Sequence, residues 1–215
     1  MNAVKTRLRH VDKGVLLGSF AREALAVCPK CAGPALVTCE SKYVVPFIPT
    51  NARLCCLKCP FQKAGSELGW RGPVKGAAKE RCPHCGFKWL EGKYSHNSFS
   101  RNARRWTGIT CSSCQRTTKV EIVWRVDRVG RPVDPAFGLP LWLQSPCCGD
   151  VLWVYNSSHL RSLRDYVAAA LRERKNGNHW SMFSRLPKWM SAHKNRDVVL
   201  ASIDRLEKKA ASVRS

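Results

Sequence analysis

Acidic residues are scarce in this sequence: 15 Asp and Glu stand against 37 Lys and Arg, leaving a formal net charge of +22. A surplus of that size seeks polyanions or repels itself. Long apolar runs are also missing. Without a stretch of 18 or more apolar residues, a transmembrane helix is excluded and no membrane partner is expected. No secretion signal is expected either. Lys5, Arg7, Arg9 and Lys13 precede Val15, Leu16 and Leu17, but Gly18, Ser19, Arg22 and Glu23 interrupt the apolar stretch that such a signal needs. The stretch from Val15 to Ala26 is expected to form a short amphipathic helix instead. No helix-turn-helix or other reader of the DNA major groove is recognisable.

Twelve cysteines are present, and most of them come in close pairs. In a chain without a secretion signal such pairs favour metal binding in a reducing cytoplasm over disulfides, so a cytoplasmic location is expected. Cys28 and Cys31 are followed after 24 residues by Cys56 and Cys59; Cys82 and Cys85 are followed after 25 residues by Cys111 and Cys114. Two residues between cysteines let one tight turn aim both sulfurs at one ion. Two such turns brought together by a hairpin complete a closed tetrahedron of the structural kind. Two structural Zn2+ ions are therefore expected, and they would lower the net charge to about +18.

The two stretches read as copies. Lys42, Tyr43, then Asn51, Ala52 and Arg53 in the first match Lys93, Tyr94, then Asn102, Ala103 and Arg104 in the second; Trp70-Arg71 matches Trp124-Arg125. Agreement at these offsets points to a duplicated unit. Ser145, Cys148 and Gly149 look like the opening turn of a degenerate third copy. Cys39, Cys55, Cys147 and Cys148 fall outside the scheme and could form a third metal site; Cys39 also reads well as a small buried hydrophobe. Another pairing stays open, with Cys56 and Cys59 joining Cys82 and Cys85, and Cys111 and Cys114 joining Cys147 and Cys148. The first pairing is preferred because the opening turns carry Pro and a following Gly.

The cysteine turns resemble those of the zinc ribbons of the general transcription factor TFIIB, of elongation factors and of polymerase subunits. The stretch from Ser184-Arg185-Leu186-Pro187-Lys188-Trp189-Met190 to Asn195-Arg196-Asp197 is similar to the tails of bacterial TFIIB-type zinc-ribbon-containing proteins. The resemblance implies tandem ribbons and no particular task, and the cyclin-like half of a transcription factor is missing.

The expected fold class is α+β: tandem zinc-ribbon hairpin units followed by a small C-terminal helical region. Residues 1–26 are read as an N-terminal helical segment, 27–81 as the first ribbon, 82–144 as the second, and 145–215 as the degenerate turn, a strand and helices. Thr110–Val126 alternates like a long closing strand, and Val151–Tyr155 like a further strand. Phe137–Leu143, broken by Pro140, reads as an edge or a loop. Ser157 and Ser158 are placed to cap a helix through Leu160, Leu163, Tyr166, Val167, Ala170 and Leu171 that stops at Asn176-Gly177. A last helix is expected over Asp197–Ala211, with Val199, Leu200, Ile203 and Leu206 inward.

The loops of the ribbons mix cations with aromatic rings. Lys42, Tyr43, Arg53, Lys93, Tyr94, Arg101, Arg104, Arg105 and Trp106 are the candidate nucleic-acid-binding residues, because cations on phosphate and flat rings under bases hold single strands. RNA is favoured over DNA, since its exposed bases invite stacking. An alternative is a zinc-finger endoribonuclease with structural zinc, analogous to effectors of phage defence. His96 would be the base and His84 the acid, with Tyr94 and Arg104 assisting. A third class is a protein-interaction scaffold with a protein activator or assembly partner. A hydrolytic zinc enzyme fits poorly, because four sulfurs leave no open coordination position.

Overall fold

The computed structural model describes residues 8–44, 49–65, 69–97, 104–127, 131–174 and 181–213. Its architecture is α+β, with short strands in small sheets and, among the described residues, three α-helices. Strand β1 (Arg9–Asp12) is followed not by the expected amphipathic helix but by a single 3-10 turn (Leu17–Phe20) and strand β2 (Glu23–Val27). The reason lies in the period of the apolar residues. Ala24 and Ala26 are fully buried while Glu23 is exposed, and this alternation suits a strand.

β2 joins β3 (Pro34–Glu40), β4 (Thr50–Cys56) and β5 (Gln62–Ala64) in one antiparallel sheet in sequence order. The free edge of β2 is closed by the C-terminal part of the chain: Leu25 N donates to Tyr155 O, and Trp142 N to Leu25 O, both at 2.8 Å. Phe137, Leu139, Leu141 and Tyr155 thereby complete the core of this sheet with Ala24, Val37 and Leu54. Phe137–Leu143 is a loop with isolated bridges from Leu141 and Pro140, held by the Asp134 carboxylate, which accepts from the N–H groups of Ala136, Phe137 and Leu139.

The second unit holds β6 (Val74–Glu80), β7 (Leu90–His96), β8 (Trp106–Thr110), β9 (Thr117–Glu121) and β10 (Val123–Val126). Although β6 precedes Cys82, it pairs with β7 on one side and β10 on the other, while β8 and β9 form a separate hairpin. The expected closing strand over Thr110–Val126 is thus split. The cysteine turn at Cys111–Cys114 and a change of sheet at Ile122 divide it. A small core of Ala78, Cys82, Leu90, Cys111, Val120 and Ile122 serves this unit alone.

The C-terminal region begins with the hairpin of β11 (Gln144–Cys147) and β12 (Asp150–Trp153). Helix α1 (Ser157–Ala168) follows, then β13 (Leu171–Arg174), which runs parallel to β1, then the one-turn α2 (Lys188–Ser191) and α3 (Arg196–Ala211). α1 ends at Ala168 because the chain turns into β13; the expected stop at Asn176-Gly177 lies outside the described residues. Leu160, Leu163 and Val167 of α1 meet Val199, Ile203 and Leu206 of α3 in a core of their own. No helix among the described residues is long and apolar enough to cross a membrane.

Candidate metal centres and a cationic strand face

Each metal centre starts from a backbone motif. Cys28 N donates to Gly33 O at 2.8 Å and Ala32 N donates back to Cys28 O at 3.0 Å. The same reciprocal pair links Cys82 with Gly86 and Phe87, and Cys111 with Gln115 and Arg116. Closing this loop requires a left-handed residue one place before its end: Ala32, Gly86 and Gln115 have φ of 56°, 72° and 59°. Only one of the three is glycine, so the glycine pattern alone understates the motif. At the remaining turn Cys56 N donates to Phe61 O at 2.9 Å, while the N–H groups of Lys58 and Cys59 point at Cys56 Sγ from 3.4 Å.

These turns bring Cys28, Cys31, Cys56 and Cys59 into one group and Cys82, Cys85, Cys111 and Cys114 into another, with all sulfurs in each group within 4.8 Å of one another. Sγ–Sγ separations of 3.9 Å for Cys28–Cys59, 3.5 Å for Cys31–Cys56, 3.6 Å for Cys82–Cys114 and 3.7 Å for Cys85–Cys111 are far too long for disulfides. They match the edge of about 3.8 Å that a sulfur tetrahedron has around an ion with 2.3 Å bonds. Each four-cysteine group can therefore hold a metal ion, and the alternative pairing across the units is not the one formed.

Cys39, Cys55, Cys147 and Cys148 do not assemble into a further group among the described residues. Cys55 and Cys56 point to opposite sides of β4, so only one of them can face the metal. Cys39 is buried in the core of the first sheet, where its thiol donates to Ala21 O at 3.5 Å. Burial pushes its pKa up to about 11; the Asp134 carboxylate adds to the rise and Arg22 opposes it. Cys147 and Cys148 lie 3.8 Å apart at the tip of the β11–β12 hairpin. There Cys148 and Gly149 both have positive φ, 53° and 78°, as a two-residue hairpin turn requires, and this is a different shape from the cysteine turns.

The repeat-matched Lys-Tyr pairs are not equivalent. Counted from the preceding cysteine turn, Tyr43 lies further on than Tyr94, so Tyr43 falls beyond the end of β3 and Tyr94 within β7. Tyr43 is exposed with the Lys42 ammonium 5.3 Å from its ring. Tyr94 is half-buried against the second core, and its hydroxyl donates to Thr107 Oγ1 at 3.0 Å. Arg53 lies in an open groove with Thr38, Glu40 and Asn51. Arg104 offers its carbonyl to Trp124 Nε1, and Arg105 pairs with Glu121 at 3.0 Å. Arg101 lies outside the described residues. Of the proposed catalytic pair, His84 sits in the turn before β7 and His96 at the far end of that strand, about 20 Å along it. His96 rests on Trp124, with ring centroids 5.0 Å apart.

A cationic surface emerges instead from strand register. Val123, Ala77 and Lys93 are neighbours across β10, β6 and β7, as are Arg125, Lys75 and Ser95. Side chains alternate across a sheet, so Lys75, Lys79, Lys93 and Arg125 share one exposed face, while Val74 and Ala78 turn to the other. Lys75 pairs with the buried Asp127 at 3.2 Å and Lys79 with Glu91 at 2.7 Å; Lys93 and Arg125 make no ion pair among the described residues. This face and the β8–β9 hairpin enclose an open groove of about 1160 Å³ with Trp106 on its wall. Lys75, Lys79 and Arg125 lie in strands and not in loops; the alternation in Val74–Glu80 hints at the two lysines and that of Thr110–Val126 at Arg125.

Three of the C-terminal cations have structural duties. Arg164 binds Asp204 and Glu207 across the α1–α3 contact, Arg172 donates to the carbonyls of Tyr166, Val167 and Ser191, and Arg196 to that of Ala169. Comparison with protein-family models, with curated proteins and with solved structures finds no match to this chain.

Proposed function

We propose that this is a nucleic-acid-binding protein whose two four-cysteine groups hold structural Zn2+ ions and whose second unit carries a single strand, RNA in preference to DNA. The observation that supports this reading is the exposed face of β6, β7 and β10, where four cations gather beside Glu91 in a chain of net charge +22. Four sulfurs per site leave no position for water or substrate, so the zinc would supply folding energy and fix the turns, and no catalysis. The ribonuclease reading has less support, because the separation of His84 and His96 leaves an RNA phosphate without an acid and base on its two sides.

Phosphate contacts release counterions, so affinity should fall with salt by about 0.7 log units per contact per log unit for a single strand. Fluorescence anisotropy with labelled single-stranded RNA, single-stranded DNA and duplex, titrated from about 50 to 300 mM salt, tests the reading. We expect tightest binding to single-stranded RNA and a slope corresponding to several contacts. A flat titration, or no binding to any of the three, would put the interaction-scaffold reading in front.

A further inference from the structure

Eight tryptophans occur in the chain, and within the fold most of those described are committed. Trp70 Nε1 donates to Pro73 O, Trp124 Nε1 to Arg104 O, and Trp189 Nε1 to the Asp150 carboxylate. Trp153 packs against the first core, and Trp142 against the helical core. Trp89 and Trp106 differ from these. They are 41% and 39% exposed, and, as at the buried Trp142 nitrogen, their indole N–H groups make no hydrogen bond among the described residues. Each instead lies under two cations: Lys79 and Arg81 stand 4.3 and 5.8 Å from the Trp89 ring, and Lys119 and Arg105 stand 5.3 and 5.5 Å from that of Trp106. Both rings border the cationic face. Trp106 forms a wall of the groove, and Lys79, which also lines it, reaches over Trp89.

We infer that Trp89 and Trp106 are base-stacking platforms for a single-stranded polynucleotide whose phosphates run over Lys93 and Arg125 between them. The inference rests on the nucleic-acid reading and deepens it. A cation over a solvent-exposed ring is a weak contact, and a base stacked on the same ring is a stronger one. When a base takes the ring, the displaced ammonium or guanidinium is already within reach of that nucleotide's phosphate, so one exchange makes both contacts. A duplex keeps its base faces inside the stack and can offer this surface only phosphates. The two rings would therefore decide strand state, whereas the lysines and arginines would set affinity for any polyanion.

The test uses the full chain with its zinc loaded and a fluorescein-labelled twelve-nucleotide oligouridylate, with oligodeoxythymidylate and a mixed-sequence duplex as parallel probes. Trp89→Ala and Trp106→Ala should each weaken single-strand binding by about fivefold or more, leaving duplex affinity and the salt slope unchanged. Trp89→Phe and Trp106→Phe, which keep a flat ring, should retain most of the affinity. Lys93→Ala and Arg125→Ala should lower the salt slope by about 0.7 each on the single strands. Alanine variants of both tryptophans that bind single strands within twofold of the parent, while the charge variants weaken, would overturn the stacking inference and leave the nucleic-acid reading intact. Equal losses on single strand and duplex, shared by the Phe variants, would also overturn it, since they mark a purely structural role. A parent that binds no probe would overturn both readings.

Discussion

At the scale of single residues, Gly138 occupies a position that no other side chain can fill. Its φ is +71°, and a Cβ there would lie 2.3 Å from Gly72 N, where the link between the two units passes against the loop that closes the first core. Gly149 is equally left-handed at +78° but faces open space. Gly149→Ala should therefore cost only the conformational penalty, about 1 kcal/mol, whereas Gly138→Ala adds a backbone clash and should cost at least about 2 kcal/mol more. Thermal melts of the two variants side by side check this, and equal shifts would contradict it. His159 is a second such residue. Its Nδ1 accepts from Tyr155 N at 3.2 Å, its ring stacks on Phe20, and burial pushes its pKa down to about 3. Between that value and the usual 6.5, the unfolded chain binds a proton that the folded one refuses. Stability is thus intact above pH 6.5 and falls as the pH drops towards 3, by at most about 1.4 kcal/mol per pH unit. Nitrogen-15 NMR should find His159 still neutral at pH 5, and a midpoint near 6.5 would refute the burial argument. Neither residue announces itself in the sequence, because a clash and a desolvation are created only by what the fold brings alongside.

Among the elements, α1 begins one residue earlier than its serines suggest. Asn156 is the cap: its Oδ1 accepts from His159 N at 2.9 Å and from the Ser158 hydroxyl, while its Nδ2 donates to Phe20 O and Glu23 O. The side chain thus ties the helix to the first sheet as well as starting it. An ordinary cap loses about 1 kcal/mol when changed to alanine, and two carbonyls left unpaired in a partly buried site add to this. Asn156→Ala should cost about 2 to 4 kcal/mol by denaturant unfolding, and Ser158→Ala under about 1 kcal/mol; the reverse order would restore the serine cap. The same contrast runs through what could be read in advance. Cysteine spacing located both metal groups, since ligand geometry is local, and helical periodicity located α3 to within a residue because Val199, Ile203 and Leu206 form its inner face. Strand register was not legible. β6 belongs with β7, the next strand, and with β10 at longer range, and the matching Lys-Tyr pairs concealed that Tyr94 sits inside a strand and Tyr43 outside one.

In the whole molecule, hydrophobic burial is divided unequally: the described residues form three clusters, and this decides what a bound metal ion would have to do. The first sheet shares its core with Phe137, Leu139, Leu141 and Tyr155, and the helices have a core of their own. The second unit has Val74 of β6 buried outside its main cluster, in which Leu90, Val120 and Ile122 are the large aliphatics and Cys82 and Cys111 make up much of the rest. At about 2 kcal/mol for each large side chain, that core contributes less than the roughly 10 kcal/mol or more that a structural zinc supplies in small metal-bound folds. The second unit, which also presents the cationic face, is therefore expected to be the part most dependent on a bound ion. Adding a strong chelator to reduced protein should first remove hydrogen-exchange protection from β6–β9, with α1 and α3 still protected, and nucleic-acid binding should disappear in step with that loss. Cys111→Ser should do the same without chelator. The order of events is the decisive observation: protection lost from β2–β4 before β6–β9, or from all elements at once, would mean that the second unit is held by contacts other than its four sulfurs. Binding that survives the loss of β6–β9 would place the nucleic-acid surface elsewhere on the chain.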